Sequence, residues 1–338
     1  MIPRFKIALC ICITGLAAIL YSCNSSVVPP ATTARTPEDT LAVFTPPDTS
    51  TIPNTPFGEL VRYGRELIVN TAHYIGPNGI VGKYAGNKLN CGSCHLDGGT
   101  RPFGFNYFST HANYPQYRGR ENEILSLGQR INNCVERPLN GKPLSLNSRE
   151  IIAMECYIKW LGNSVPIGGH VPGDGALELE YPNRPASPEN GRVIYQKHCA
   201  SCHQPEGQGL LKPDSSSYQY PPLWGMNSYQ SGSSTHRVLK MARFVKANMP
   251  HNIAKWDKPV LTDEEAIDVA AFVNDDQIHP RPGKPRTLVY PDYSRIDVKP
   301  IDYGTGPYRD TFSEMQHKFG PYQPIIDYHK ANNLPVIF

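Results

Sequence analysis

Two five-residue strings, Cys91-Gly92-Ser93-Cys94-His95 and Cys199-Ala200-Ser201-Cys202-His203, constrain this 338-residue chain more than any other feature. Two thiols three positions apart, followed at once by a histidine, are the attachment signature of haem c. The thiols bond to the porphyrin vinyl groups and the histidine reaches the iron from the same face. A thioredoxin-like site does not need that histidine. A zinc site would need both strings to meet from 108 residues apart. The cofactors read from the sequence are two covalently bound haem c groups, attached through Cys91, Cys94, Cys199 and Cys202, with His95 and His203 as iron ligands.

The surroundings repeat as well. Pro56 to Asn70 carries Phe57, Leu60, Val61, Tyr63, Leu67 and Ile68 at helical spacing. Before the second string, Ser187-Pro188 places a cap residue ahead of a proline at the first helical position. A closing helix follows each attachment site. The first is signalled by Asn147 with Glu150 and the second by Thr262 with Glu265, each leading into an apolar run. Gly64 and Gly191 fall where a missing side chain lets the closing helix approach. This plan predicts an all-α fold of two class I cytochrome c domains in tandem, over residues 56–172 and 173–280. Residues 281–338 hold Pro282, Pro285, Pro291 and Pro300 and six tyrosines; they are expected to form an extended arm over both domains.

At the amino end, Arg4 and Lys6 precede a fifteen-residue apolar run, Ile7 to Tyr21, too short to span a bilayer comfortably. Residues 1–22 read as a secretory signal peptide. Leu20-Tyr21-Ser22-Cys23 resembles a bacterial lipobox, so Cys23 is expected to carry a lipid anchor on a periplasmic protein. Residues 23–55, rich in Ser, Thr, Pro and Ala, read as a flexible tether. Losing Arg4 and Lys6 lowers the formal charge from +3 to +1. No basic excess is left to recruit nucleic acid or an anionic membrane surface.

The two irons differ in what can close their open side. In the second domain Met249 lies 46 residues after His203, just before Pro250 and at the end of a predicted helix containing Val238, Leu239, Ala242, Phe244 and Val245. Met249 is the predicted sixth ligand. The first domain has no methionine between His95 and Met154, and Met154 belongs to the closing helix. Cys134, 39 residues after His95, occupies the comparable stretch. A thiolate on ferric haem lowers the reduction potential relative to methionine. The alternatives for Cys134 are a buried free thiol or a disulfide with Cys156. Arg118, Arg120, Arg130, Arg137 and Lys142 neighbour it in sequence and together would form an oxyanion pocket; singly, each could be a surface charge or a haem propionate partner.

Five stretches carry a family resemblance: Asn90 to Pro102, Asn106 to Phe108, Tyr117 to Arg120, Arg130 to Arg137, and Asn140 to Leu144. They resemble the catalytic domain of dihaem thiosulfate dehydrogenases, and Phe244 to Pro250 is similar to that family's second-haem ligand segment. The likeness spans roughly residues 56–285. It implies coupling of two thiosulfates to tetrathionate, or the reverse reduction, at a His95/Cys134 haem. Arg120 and Arg130 then bind substrate, with Arg118 and Lys142 beside them. Electrons pass through a His203/Met249 haem to or from a separate c-type cytochrome. Asn248 replaces a lysine that serves as a switching ligand in some members, which implies stable His/Met ligation. Pro138 replaces a serine often found there, removing a hydroxyl beside the site. The main alternative is a non-catalytic dihaem electron-transfer cytochrome. A dihaem peroxidase and a sulfur-carrier cytochrome are lesser ones.

Overall fold

A computed structural model describes residues 42–118, 121, 123–283 and 310–336. The signal peptide, Cys23, Arg120 and residues 284–309 lie outside the described residues. Chain order in the first domain is α1 (Pro56–Val69), α2 (Thr71–Ile75), α3 (Leu96–Gly99), a ribbon of β1 (Gln116–Arg118) and β2 (Glu123–Leu125), then α4 (Leu127–Glu136) and α5 (Arg149–Leu161). The second domain has α6 (Pro188–His198), α7 (Ala200–His203), a ribbon of β3 (Leu210–Leu211) and β4 (Tyr218–Tyr220), then α8 (Val238–Asn248) and α9 (Asp263–Val273). The two antiparallel ribbons are the strands that the all-α expectation did not include.

Each domain is built on one helix crossing, and a glycine permits it. A Cβ on Gly64 of α1 would lie 1.9 Å from the Ala153 carbonyl oxygen of α5. A Cβ on Gly191 of α6 would lie 2.0 Å from the Asp268 oxygen of α9. Around these contacts Val61, Leu67, Ile151 and Ile158 fill one core, and Tyr195, Leu239, Ile267 and Phe272 the other.

The helix starts follow their cap chemistry, with one correction. Thr55, Ser187 and Thr262 cap α1, α6 and α9. Thr262 and Glu265 close a reciprocal capping box. For α5 the cap is Ser148, whose hydroxyl accepts from Ile151 N at 3.3 Å, not Asn147. The helix starts at Arg149, which puts Glu150 one position too early to bond back to the cap, and it takes the Tyr63 hydroxyl at 3.0 Å instead.

Three expected boundaries are corrected. Residues 42–55 are not a free tether: Ile52 is buried, Phe44 N donates to Pro172 O at 2.9 Å, and the Phe44 and Phe108 ring centres lie 4.9 Å apart. Two apolar side chains in a polar stretch suffice to anchor it. Residues 173–176 stay with the first domain, because Gly173 O accepts from Phe103 N and Asn106 Nδ2 at 2.8 and 2.7 Å. The described part of the carboxyl arm, 310–336, is not extended. It forms α10 (Glu314–Phe319) and α11 (Gln323–Ala331), with Phe319, Tyr322, Ile325 and Ile326 buried. It docks on the second domain through Phe319 O, which accepts from Ala186 N at 2.6 Å, and through Lys318, which meets Asp276 at 2.9 Å.

Candidate haem centres

The first attachment string is tied to the α1–α2 corner. Cys91 N donates to Thr71 Oγ1 and Ala72 N to Asn90 Oδ1, both at 2.9 Å. His95 follows, and its Nδ1–H donates to the Phe105 carbonyl, so that Nε2 is the nitrogen left to face Cys134. In the second domain His203 Nδ1–H donates to Pro221 O at 2.8 Å, the proline carbonyl the sequence pointed to. Two thiols and a histidine with its outer nitrogen already engaged are the donor set haem c requires, and both strings present it.

A cavity of about 570 Å³ opens over Cys91, Cys94 and His95, within the range of cofactor sites. Ile68, Leu89, Leu127, Met154 and Ile158 give it an apolar wall suited to a porphyrin face. Burial pushes the thiols of Cys91 and Cys94 up to about 11 and about 12. They are neutral at physiological pH, as suits groups destined for thioether bonds.

Cys134 behaves in the opposite sense. It sits on α4 in the same cavity. Burial alone would raise its pKa, but the guanidinium of Arg130, a hydrogen bond with His95 and the charge of Arg137 bring it down to about 6. Arg130, one helical turn earlier, donates from Nη1 to Cys134 Sγ at 2.9 Å. Cys134 thus faces His95 with its thiolate form favoured. All six cysteines of the two domains are free, so the Cys134–Cys156 disulfide is not formed. Cys156 sits on α5, packed against the core.

The cationic residues do not all converge. Arg118, Arg130 and Arg137 line the cavity. Arg137 is matched by Glu121 at 2.6 Å, which also accepts from Asn133 Nδ2 at 3.0 Å. Lys142 is not brought to the site. It is exposed, its ammonium 5.9 Å from the Tyr84 ring centre, because the turn after α4 pairs Lys142 N with Tyr84 O. Pro138 lines the cavity, and its carbonyl accepts from Asn87 Nδ2 at 3.0 Å. Met249 is half-buried and ends α8. Asn248 is buried, its side-chain nitrogen donating to Phe244 O and, across the domain boundary, to Phe103 O.

Sequence reasoning missed several participants. Tyr107 stacks on the His95 ring, with centres 4.5 Å apart. Tyr114 feels the charges of Arg130 and Arg118. Arg237 and Lys240 line the first-domain cavity from the second domain. Nothing in the sequence near Cys134 could point to residues more than 100 positions away. The described lining thus carries five cationic side chains against one carboxylate, Asp174.

Known proteins share both halves. Residues 83–167 match the family described as SoxA/TsdA, cytochrome c domain, and residues 188–275 match Cytochrome c. A thiosulfate dehydrogenase of Allochromatium vinosum is 35% identical over 74% of this chain and 88% of its own length. One from Stutzerimonas stutzeri is 34% identical over 72% of this chain and 75% of its own. The solved thiosulfate dehydrogenase (TsdBA) of Marichromatium purpuratum, as isolated, superposes with a TM-score of 0.65 at 35% identity over 72% of this chain. This chain spans half the length of that one. The chain is a tandem c-type cytochrome that binds haem c covalently.

Proposed function

The chain belongs to the thiosulfate dehydrogenase family, and from that premise we propose that it couples two thiosulfates to tetrathionate, or runs the reverse. His95 and Cys134 would hold the first haem iron, and His203 and Met249 the second. One S–S bond forms between the outer sulfurs of two dianions, and two electrons leave; no proton is exchanged. When bound, the haems supply two one-electron acceptors, which matches that count. The electrons go on to an external c-type cytochrome.

The single observation that carries this reading is the half-buried sulfur of Cys134, held 2.9 Å from Arg130 Nη1 in a cavity whose cations outnumber its acids. Bringing two dianions together in a partly dry site costs several kcal/mol without such cations. Arg130 and Arg118 orient substrate oxygens from the described wall, and Arg120 joins them by family resemblance. The signal peptide and lipobox support a periplasmic enzyme tethered through Cys23. Thiosulfate added without oxygen to the oxidised holoprotein tests the reaction. Wild type should bleach to the reduced haem spectrum and yield one tetrathionate per two electrons. Cys134→Ala should do neither, and reduction of that variant at the wild-type rate would refute the reading.

A further inference from the structure

The loop Phe103–Phe105 holds the first histidine, yet much of what holds the loop belongs to the second domain. Phe103 and Phe105 both take left-handed backbone angles, φ 54° and 52°, which bulky residues adopt only where their surroundings over-determine them. From the first domain the loop receives backbone bonds: Phe103 N donates to Gly173 O at 2.8 Å and Leu96 N to Gly104 O at 3.2 Å. From the second it receives side chains. The Phe244 ring stacks on Phe105 at 4.8 Å and 21°, and the Lys240 ammonium lies 5.0 Å from the same ring centre. The Trp256 ring lies 5.3 Å from that of Phe103, and Asn248 Nδ2 donates to Phe103 O at 3.1 Å. The Phe105 carbonyl that accepts from His95 Nδ1 sits amid these contacts.

We propose that Phe244 and Trp256 are positioning residues for the first haem site: the second domain, through this loop, sets the orientation and hydrogen bond of His95. The inference rests on the reading of His95 as an iron ligand. A hydrogen bond at Nδ1 raises the basicity of a ligating imidazole. If Phe244 or Trp256 is cut back, the loop relaxes toward ordinary angles, the carbonyl swings and the bond weakens. The imidazole then donates less charge, and the midpoint potential of the first haem rises.

The test is a redox titration of the haem-loaded enzyme followed by low-temperature EPR, which resolves the two ferric haems, in Phe244→Leu and Trp256→Leu. Both variants should shift the g values of the first haem and raise its potential, leave those of the second in place, and lower kcat with KM unchanged. Phe244→Tyr, which keeps the stack, should restore the wild-type values. Two folded, fully loaded leucine variants with a wild-type first-haem signal and potential would overturn the inference alone. A wild-type spectrum without a thiolate-type signal, identified by its loss in Cys134→Ala, would bring down the ligand set and the inference together.

Discussion

One helical turn of α4 places a cation beside the sulfur in the first-domain cavity. Arg130 and Cys134 stand four residues apart, so the guanidinium reaches the sulfur at 2.9 Å. Two half-buried thiols in the same cavity are pushed up while this one is brought down, and the difference is Arg130 together with His95 and Arg137. Arg130→Gln removes a hydrogen bond to a charged acceptor, a loss of about 1.5–3 kcal/mol. It should lower kcat/KM for thiosulfate by about 10–100-fold, with Arg130→Lys intermediate because it keeps the charge but loses the fork. Steady-state kinetics checks both. This much was legible, since motif, spacing and residue type all lie within a few positions of one another. Lys142 shows the limit of proximity in sequence: eight residues after Cys134, it faces solvent because the intervening turn redirects the backbone.

The helices were legible where cap and period agreed, and shifted where two candidate caps were adjacent. Asn147 and Ser148 both favour a cap, and only the register of the buried face of α5 decides between them. Ser148→Ala should therefore cost about 1 kcal/mol, and Asn147→Ala much less, by thermal unfolding of the holoprotein. The glycines offer a sharper contrast. Helix propensity alone predicts that Gly64→Ala and Gly191→Ala stabilise by about 1 kcal/mol. The carbonyls 1.9 and 2.0 Å from the added carbon reverse the sign, since overpacking costs about 1–3 kcal/mol. A lowered melting temperature in both variants is the expected result.

Across the whole molecule, the repeat announced two domains but not how they dock. That docking uses single aromatic contacts such as Phe105 on Phe244, which leave no local period to read. The carboxyl arm was illegible for a related reason. Its prolines and tyrosines hid two short helices closed by a buried carboxylate. Asp310 meets His317 Nε2 and His329 Nε2 at 3.0 Å each. Burial would raise its carboxyl, but the hydrogen bonds of the two histidines hold it below the usual range. A lowered folded pKa contributes stability above the unfolded value of about 4, and that stability fades as pH falls through the folded value. Limited proteolysis should find residues 310–336 protected at neutral pH and increasingly cleaved below about pH 4. Asp310→Asn should expose them at neutral pH, because breaking a buried pair costs about 3–5 kcal/mol.

In the reaction proposed above, a tandem cytochrome acts on thiosulfate through the sulfur of one residue, Cys134. Magnetic circular dichroism of the oxidised holoprotein reads that sulfur through its thiolate-to-iron charge-transfer band. The band should be present in wild type, retained in Cys156→Ala and absent in Cys134→Ala. A band that survives in Cys134→Ala, or that wild type lacks, would contradict the assignment of Cys134 to the iron.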